Sequence, residues 1–165
     1  MAFDAFLKIT NIPGESTDDK FKDQIEVLSY SHGLAQTASG SVSSGGGRTA
    51  ERCDHGDFMI THSLDKASPK LALACCNGTH IPEVTLTLSR AGGDKTKYME
   101  YKMTDVIVRS VKPGGSSHAV ETLPLEEVSF GYGKIEWTYV PTDHATGKAA
   151  GTVAANWDLK TNKGA

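Results

Sequence analysis

Apolar and polar residues alternate almost from the start of the chain. Phe3, Ala5, Leu7 and Ile9 fall on one face of an extended segment and Asp4, Phe6, Lys8 and Thr10 on the other, the period of two that a strand imposes. Phe6 makes the second face partly apolar. Pro13 and Gly14 end the run, and the polar stretch 14–23 reads as a loop. Alternation resumes from Gln24, with Ile25 and Val27 opposed to Leu28 and Tyr30, and a more polar strand follows Gly33 over 34–38. The two together read as a hairpin arm. It leads into residues 38–57, where the pattern stops: roughly twenty residues with almost no large apolar side chain, a length uncommon for an unstructured loop inside a compact domain. Such a stretch is either a linker between domains or an arm that becomes ordered against another molecule.

Beyond the loop, 58–61 is a short strand, and then the period changes. Ser68 is placed to cap a helix over 69–77, Pro69 to occupy its first turn and Gly78 to stop it, with Leu71, Ala74 and Cys75 on the face that docks. Strands fill the remainder. Val84, Leu86 and Leu88 alternate with Thr85, Thr87 and Ser89; 91–94 turns; 98–111 is long enough for a bent strand; 112–117 turns again. Val128, Phe130 and Tyr132 share a face of a strand over 125–132, and Ile135, Trp137 and Tyr139 share one on the strand that follows. A polar loop, 141–151, precedes a closing strand with Val153, Ala155, Trp157 and Leu159. The expectation is an all-β fold: a β-barrel of about eight to nine strands, one short flanking helix and a long glycine-rich loop, in a single domain over 1–165. Too few strands precede 38–57 to make a domain, so the linker reading weakens.

Composition adds exclusions. With 165 residues, 38% hydrophobic and 22% charged residues and a net charge of −3, there is no bulk electrostatic case for nucleic acid or an anionic membrane. No window approaches the ~20 apolar residues of a membrane span. The N-terminal stretch has Asp4 and Lys8 among its apolar positions and lacks the basic and unbroken apolar regions of a secretory signal. Three cysteines, Cys53, Cys75 and Cys76, suit a reducing compartment rather than a disulfide framework.

Candidate chemistry is thin. Cys53, Asp54, His55, His62, Cys75, Cys76 and His80 are metal-ligand types, but adjacent helical cysteines point about 100° apart and no paired ligand spacing is present, so no metal or cofactor is expected. Gly45, Gly46 and Gly47 before Arg48 and Thr49 lack the lysine and helix of a phosphate-binding loop and read as a flexible spacer. No nucleophile elbow occurs, and Glu26, Glu126, Glu127 and Glu136 sit where solvated faces are expected. No catalytic residue is expected, and an assembly or binding role outranks an enzyme. The rivals are a hydrolase assembled only in three dimensions and a monomeric ligand-binding barrel.

Several separated motifs stand in one order: FLKITNIPGES, IEVLSYSHG, ITHSLDKASPKLALACCNG with HIPEVTLTL, the AGG turn, and FGYGKIEWTYVPTDHATGKAAGTVAANWDLKTNKGA. Together they resemble the haemolysin-coregulated protein (Hcp) family from end to end. The resemblance implies a barrel that assembles as a homo-hexameric ring, stacked into the inner tube of the type VI secretion machine. A contractile sheath would surround that tube, a spike of the VgrG type would cap it, and small effector proteins would ride in the lumen. The protein would be assembled in the cytoplasm and expelled without a signal peptide. On this resemblance, Ser39, Gly40, Ser41, Val42, Ser43, Ser44, Gly45, Gly46, Gly47, Arg48, Thr49, Ala50, Glu51, Arg52 and Cys53 form the extended loop that reaches neighbouring subunits, and Ser31 faces the lumen. Arg48, Glu51, Arg52 and Cys53 depart from the simplest pattern and imply more charged ring-to-ring contacts. With no appended effector domain, a bare tube subunit is expected.

Overall fold

A computed structural model of the chain describes residues 3–39, 49–92, 95–118, 120 and 123–165. Its centre is a nine-stranded antiparallel sheet. Strand β1 (Phe3–Ile9) pairs on one side with β2 (Ile25–Val27); strand β3 (Ser29–Ser31) follows after a single residue. Four two-residue strands come next in the chain: β4 (Leu34–Ala35), β5 (Ala38–Ser39), β6 (Thr49–Ala50) and β7 (Asp54–His55). Then come β8 (Phe58–Ser63), helix α1 (Ser68–Asn77), β9 (Ile81–Arg90), β10 (Lys97–Gly114), β11 (Leu125–Tyr139), β12 (Val153–Asp158) and β13 (Lys163–Gly164).

The pairings form a circuit. β1 pairs with β9, β9 with β10, β10 with β11, the first half of β11 with β8, and β8 with β3. Leu28, between β2 and β3, donates its N–H to the Thr61 carbonyl at 2.8 Å. Ile25–Ser31 is therefore one segment, bonded to β1 through its first half and to β8 through its second. That closes the path and removes the free edge an open sheet would present. The second half of β11 pairs instead with β12, and β12 with β13, as a flange outside the circuit. Leu7, Ile25, Phe58, Ile60, Leu86, Met103, Val106, Phe130 and Ile135 fill the interior, none more than 1% exposed. A closed apolar ligand cavity would need that space.

The strands expected at 125–132 and after it are one strand. The sequence suggests two because inward residues are even-numbered up to Phe130 and odd-numbered from Ile135. The same slip occurs in the neighbours: Ile81 and Val84, Met103 and Val106, and Phe130 and Ile135 are all in the one core although each pair is an odd number of positions apart. The three strands thus reset their pleat side by side. In β10 the reset coincides with Asp105, whose φ is +54°. Gly131 sits under a neighbouring side chain, since a Cβ there would lie 2.8 Å from Arg109 Cδ. β10 also continues through Pro113, paired with Glu126, into the stretch that reads as a turn.

The helix begins one residue earlier than expected, and Ser68 is not its cap. Ala67 occupies the N-cap position without a side-chain bond; Asp65 Oδ1 accepts the Ala67 N–H at 2.9 Å, while Ser68 Oγ accepts the Asp65 N–H at 3.2 Å. Leu71 and Ala74 are buried and Cys75 half-buried, as the helical period requires. Gly78 ends the helix at φ +65° and donates its N–H to the Ala74 carbonyl. Gly78→Ala forces a side chain into the left-handed region and is expected to cost about 1 kcal/mol, read as a lowered midpoint in urea unfolding.

The polar loop 14–23 carries one packing residue. Phe21 stacks on Phe6 with centroids 4.5 Å apart, and Lys95 Nζ lies 5.7 Å from the Phe6 centroid. Lys95 is also paired with Asp18. This covers the outer face of β1 and explains why Phe6 is buried on the side opposite Leu7.

Candidate functional site: the arm and its root

The stretch 38–57, read as irregular, belongs to a two-step hairpin that starts before it. Leu34 pairs with His55 and Ala35 with Asp54; Ala38 pairs with Ala50 and Ser39 with Thr49. Between the two ladders lie Gln36 and Thr37 on the way out and Glu51, Arg52 and Cys53 on the way back, one residue more, which makes a bulge and turns the arm. Gln36 and Glu51 hold this step: the Gln36 side-chain amide donates to the Glu51 carbonyl, and the Glu51 N–H donates to the Thr37 carbonyl at 3.3 Å. Leu34, Ala35, Gln36, Thr37, Ala50, Glu51 and Arg52 are all exposed. Cys53 is half-buried, with Sγ 3.8 Å from the Asp54 carbonyl. The expected loop residues Gly40, Ser41, Val42, Ser43, Ser44, Gly45, Gly46, Gly47 and Arg48 lie outside the described residues. Ser31 ends β3 opposite Met59 and is exposed.

The arm leaves the barrel where the edge of β11 changes partner. The pairing with β8 ends at Phe130 and Phe58, and the pairing with β12 begins at Lys134 and Asp158. Tyr132 lies in the interval. Its hydroxyl is 2.7 Å from His32 Nε2 and 2.8 Å from His55 Nδ1, so the outgoing and returning strands of the arm are tied to one barrel atom. A phenol has a single proton: it donates to one imidazole and accepts an N–H from the other. Just beyond, the Gly56 N–H donates to the Gly33 carbonyl at 2.9 Å, and Arg109 pairs with Asp57 at 3.3 Å.

Electrostatics at the root favour neutral groups. Burial lowers the pKa of His32 from its ordinary value, with the nearby His55 adding to the effect, and burial lowers that of His55. Burial pushes the Tyr132 phenol up, reinforced by Cys53 and Asp57. Beneath lies an aromatic floor: Phe58 stacks on Tyr30 at 6.0 Å and touches Tyr101 at 5.3 Å and His32 at 5.2 Å. Tyr30 and Tyr101 place their hydroxyls 3.4 Å apart, and burial followed by this contact raises the Tyr101 phenol.

His32, His55 and Tyr132 are not among the residues that sequence reasoning selects. The signal was present: the loop is bracketed by His32-Gly33 and His55-Gly56, two identical dipeptides. Two other histidines are engaged elsewhere. His62 is fully buried and donates Nε2–H to the Glu126 carboxylate at 2.9 Å, and His80 meets Asp105 at 3.1 Å. Glu126, expected on a solvated face, points inward beside His62.

Residues 6–139 match the family model described as "Type VI secretion system effector, Hcp". The chain is 35% identical to Protein hcp1 of Pseudomonas aeruginosa over 98% of both chains. A solved structure described as that of a type six secretion system protein superposes with a TM-score of 0.93 at 34% identity, covering 99% of this chain and all of the other. Hcp1 from Salmonella typhimurium does so at 0.82 with 36% identity over the full length of both. With the family match spanning the barrel and the arm, and the curated relative covering 98% of the chain, the chain belongs to the Hcp family of type VI secretion proteins.

Proposed function

We propose that this chain is a single domain over 1–165 whose copies close into a hexameric ring, and that the arm makes the contacts that stack rings into the secretion tube. The observation that carries the reading is the arm itself: a hairpin whose side chains from Leu34 to Thr37 and from Ala50 to Arg52 are exposed, anchored at its root on the barrel. Exposed backbone that is already paired, presented on a projecting element, suits contact with a second copy more than chemistry. A ring needs one heterologous contact that closes by rotation, and a tube needs a second contact repeated along the axis. In this scheme Ser39–Cys53 supply the second contact, with Arg48, Glu51 and Arg52 giving it a charged character. Ordering glycine-rich chain at each junction weakens that junction, and multiple junctions per ring restore the strength through avidity.

Ser31 is assigned to the lumen wall, where a short polar side chain would let small effector proteins pass or bind weakly. The remaining partners are a VgrG-type spike at the tip and a contractile sheath outside. Assembly in the cytoplasm followed by expulsion through the secretion machine is the route this reading implies. The Hcp family is structural and secreted rather than enzymatic, and the filled barrel interior favours this over the ligand-binding rival.

Deleting Ser43–Gly47 tests the reading. Stacked species in sedimentation velocity are expected to disappear or fall sharply, while the circular dichroism melt of the subunit stays near wild type. Equal loss of folding and stacking would overturn the role of the arm, and a wild-type mass far below six subunits by light scattering would overturn the ring.

A further inference from the structure

The two strands of the arm meet the barrel through a single phenolic oxygen. His32 precedes β4, His55 lies in β7, and both ring nitrogens fall within 2.8 Å of Tyr132 Oη. From this geometry we infer that the root is an acid-released latch: protonation of His32 and His55 detaches the arm from Tyr132 while the barrel stays folded. With both rings neutral, the three atoms in contact satisfy one another, one imidazole nitrogen accepting the phenolic proton and the other donating its N–H to the oxygen. With both protonated, each ring has only donors to offer. The phenolic hydrogen then loses its acceptor, and two cations stand on either side of one oxygen.

Among the described residues, no carboxylate lies within ion-pair distance of His32 or His55; the histidine ion pairs are those of His62 and His80. From the arm, Cys53, Asp54 and Asp57 lie nearby, but Asp57 is engaged by Arg109 of β10 at 3.3 Å. Asp105 lines the same shallow hollow as Tyr132 and Arg109, and it is taken by His80 and by Lys160, the latter at 2.7 Å. The His32 ring packs on Phe58, which in turn carries the rings of Tyr30 and Tyr101, so this side of the root is aromatic. Burial and mutual repulsion accordingly oppose protonation in the closed state.

The sign follows from linkage. A histidine with a depressed closed-state pKa binds its proton more readily once the arm is open, so the latch is fully held above the ordinary histidine value of about 6.5 and loosens as pH falls through and below it. Each unit of depression, per ring, raises the open-to-closed ratio about ten-fold at the acid limit. The latch is a property of one subunit. Its effect on stacked rings rests on the assembly reading above: tubes held by the arm would be stable at neutral pH and shed rings in an acidified compartment.

Hydrogen exchange on the full-length protein between pH 7.5 and 5.0, corrected for the intrinsic pH dependence of exchange and with sedimentation followed in parallel, tests both parts separately. Protection of the amides of Ala35, Asp54 and Gly56, which bond across the root ladder, is expected to fall by about ten-fold or more between these values, with β9 and β10 unchanged. The double variant His32→Gln/His55→Gln keeps hydrogen-bonding groups that do not titrate and is expected to abolish the pH dependence. Tyr132→Phe is expected to leave the root open at both pH values. Unchanged wild-type protection at pH 5.0, or a pH dependence that survives in the double variant, would overturn the latch. Loss of arm protection without loss of stacked species would leave the latch standing and overturn the arm's part in stacking.

Discussion

Glu126→Ala is expected to destabilise the subunit by about 3 kcal/mol, the upper end of the cost of leaving a fully buried polar group without its hydrogen-bond partner. His62 is 0% and Glu126 2% exposed, and their 2.9 Å contact sits between two paired strands inside the barrel wall. His62 Nδ1 already lacks a hydrogen-bond partner, the Asp65 carboxylate standing 3.8 Å away. Removing Glu126 therefore leaves both ring nitrogens without a partner in a site closed to solvent. Replacing the pair, His62→Leu with Glu126→Leu, removes both desolvated groups at once and is expected to be close to wild type or above it. Urea unfolding at pH 7.5 distinguishes the two. A single variant as stable as wild type would mean that the barrel end admits water.

Phe58→Ala is expected to cost a similar amount, about 3–5 kcal/mol for truncating a buried phenylalanine. Its ring is fully buried and underlies Tyr30, Tyr101 and His32, so the cavity opens directly beneath the arm root. Two readouts should move together: the urea midpoint falls, and exchange at Gly56 accelerates beyond what the global loss explains. Acceleration no greater than the global loss would show that the root does not depend on this floor.

The fold was legible where one period governs a whole element. Val84, Leu86 and Leu88 mark β9, and Gly78 marks the end of the helix, because alternation and a positive φ are local properties. The errors fall where a local rule was overridden from across the sheet. The stretch from Lys112 suggests a turn, yet β10 runs on through Pro113 in pairing with β11. The parity change between Phe130 and Ile135 suggests two strands, yet it is one pleat reset shared with β9 and β10. Phe21 is a lone apolar residue in a polar loop, and only the fold brings Phe6 beneath it.

The candidate site was half legible. Low apolar content marks the arm, and the family motifs assign it a role, but a hairpin this polar has no hydrophobic period to betray its two ladders. The root depends on residues as far apart in sequence as His32 and Tyr132. Their meeting follows from the place where β8 ends and β12 begins, which no motif records.

The seam of the barrel has a mechanical consequence. Ile25–Ser31 is clamped to β1 over Leu7, Phe6 and Ala5 and to β8 over Thr61, Ile60 and Met59. A pull on this segment along its length loads both ladders in shear, so their hydrogen bonds must yield together rather than one at a time. Under the tube role proposed above, with force applied during expulsion, the point of closure is a joint that resists unzipping, and the arm that begins at its downstream end can be dragged without opening the wall behind it.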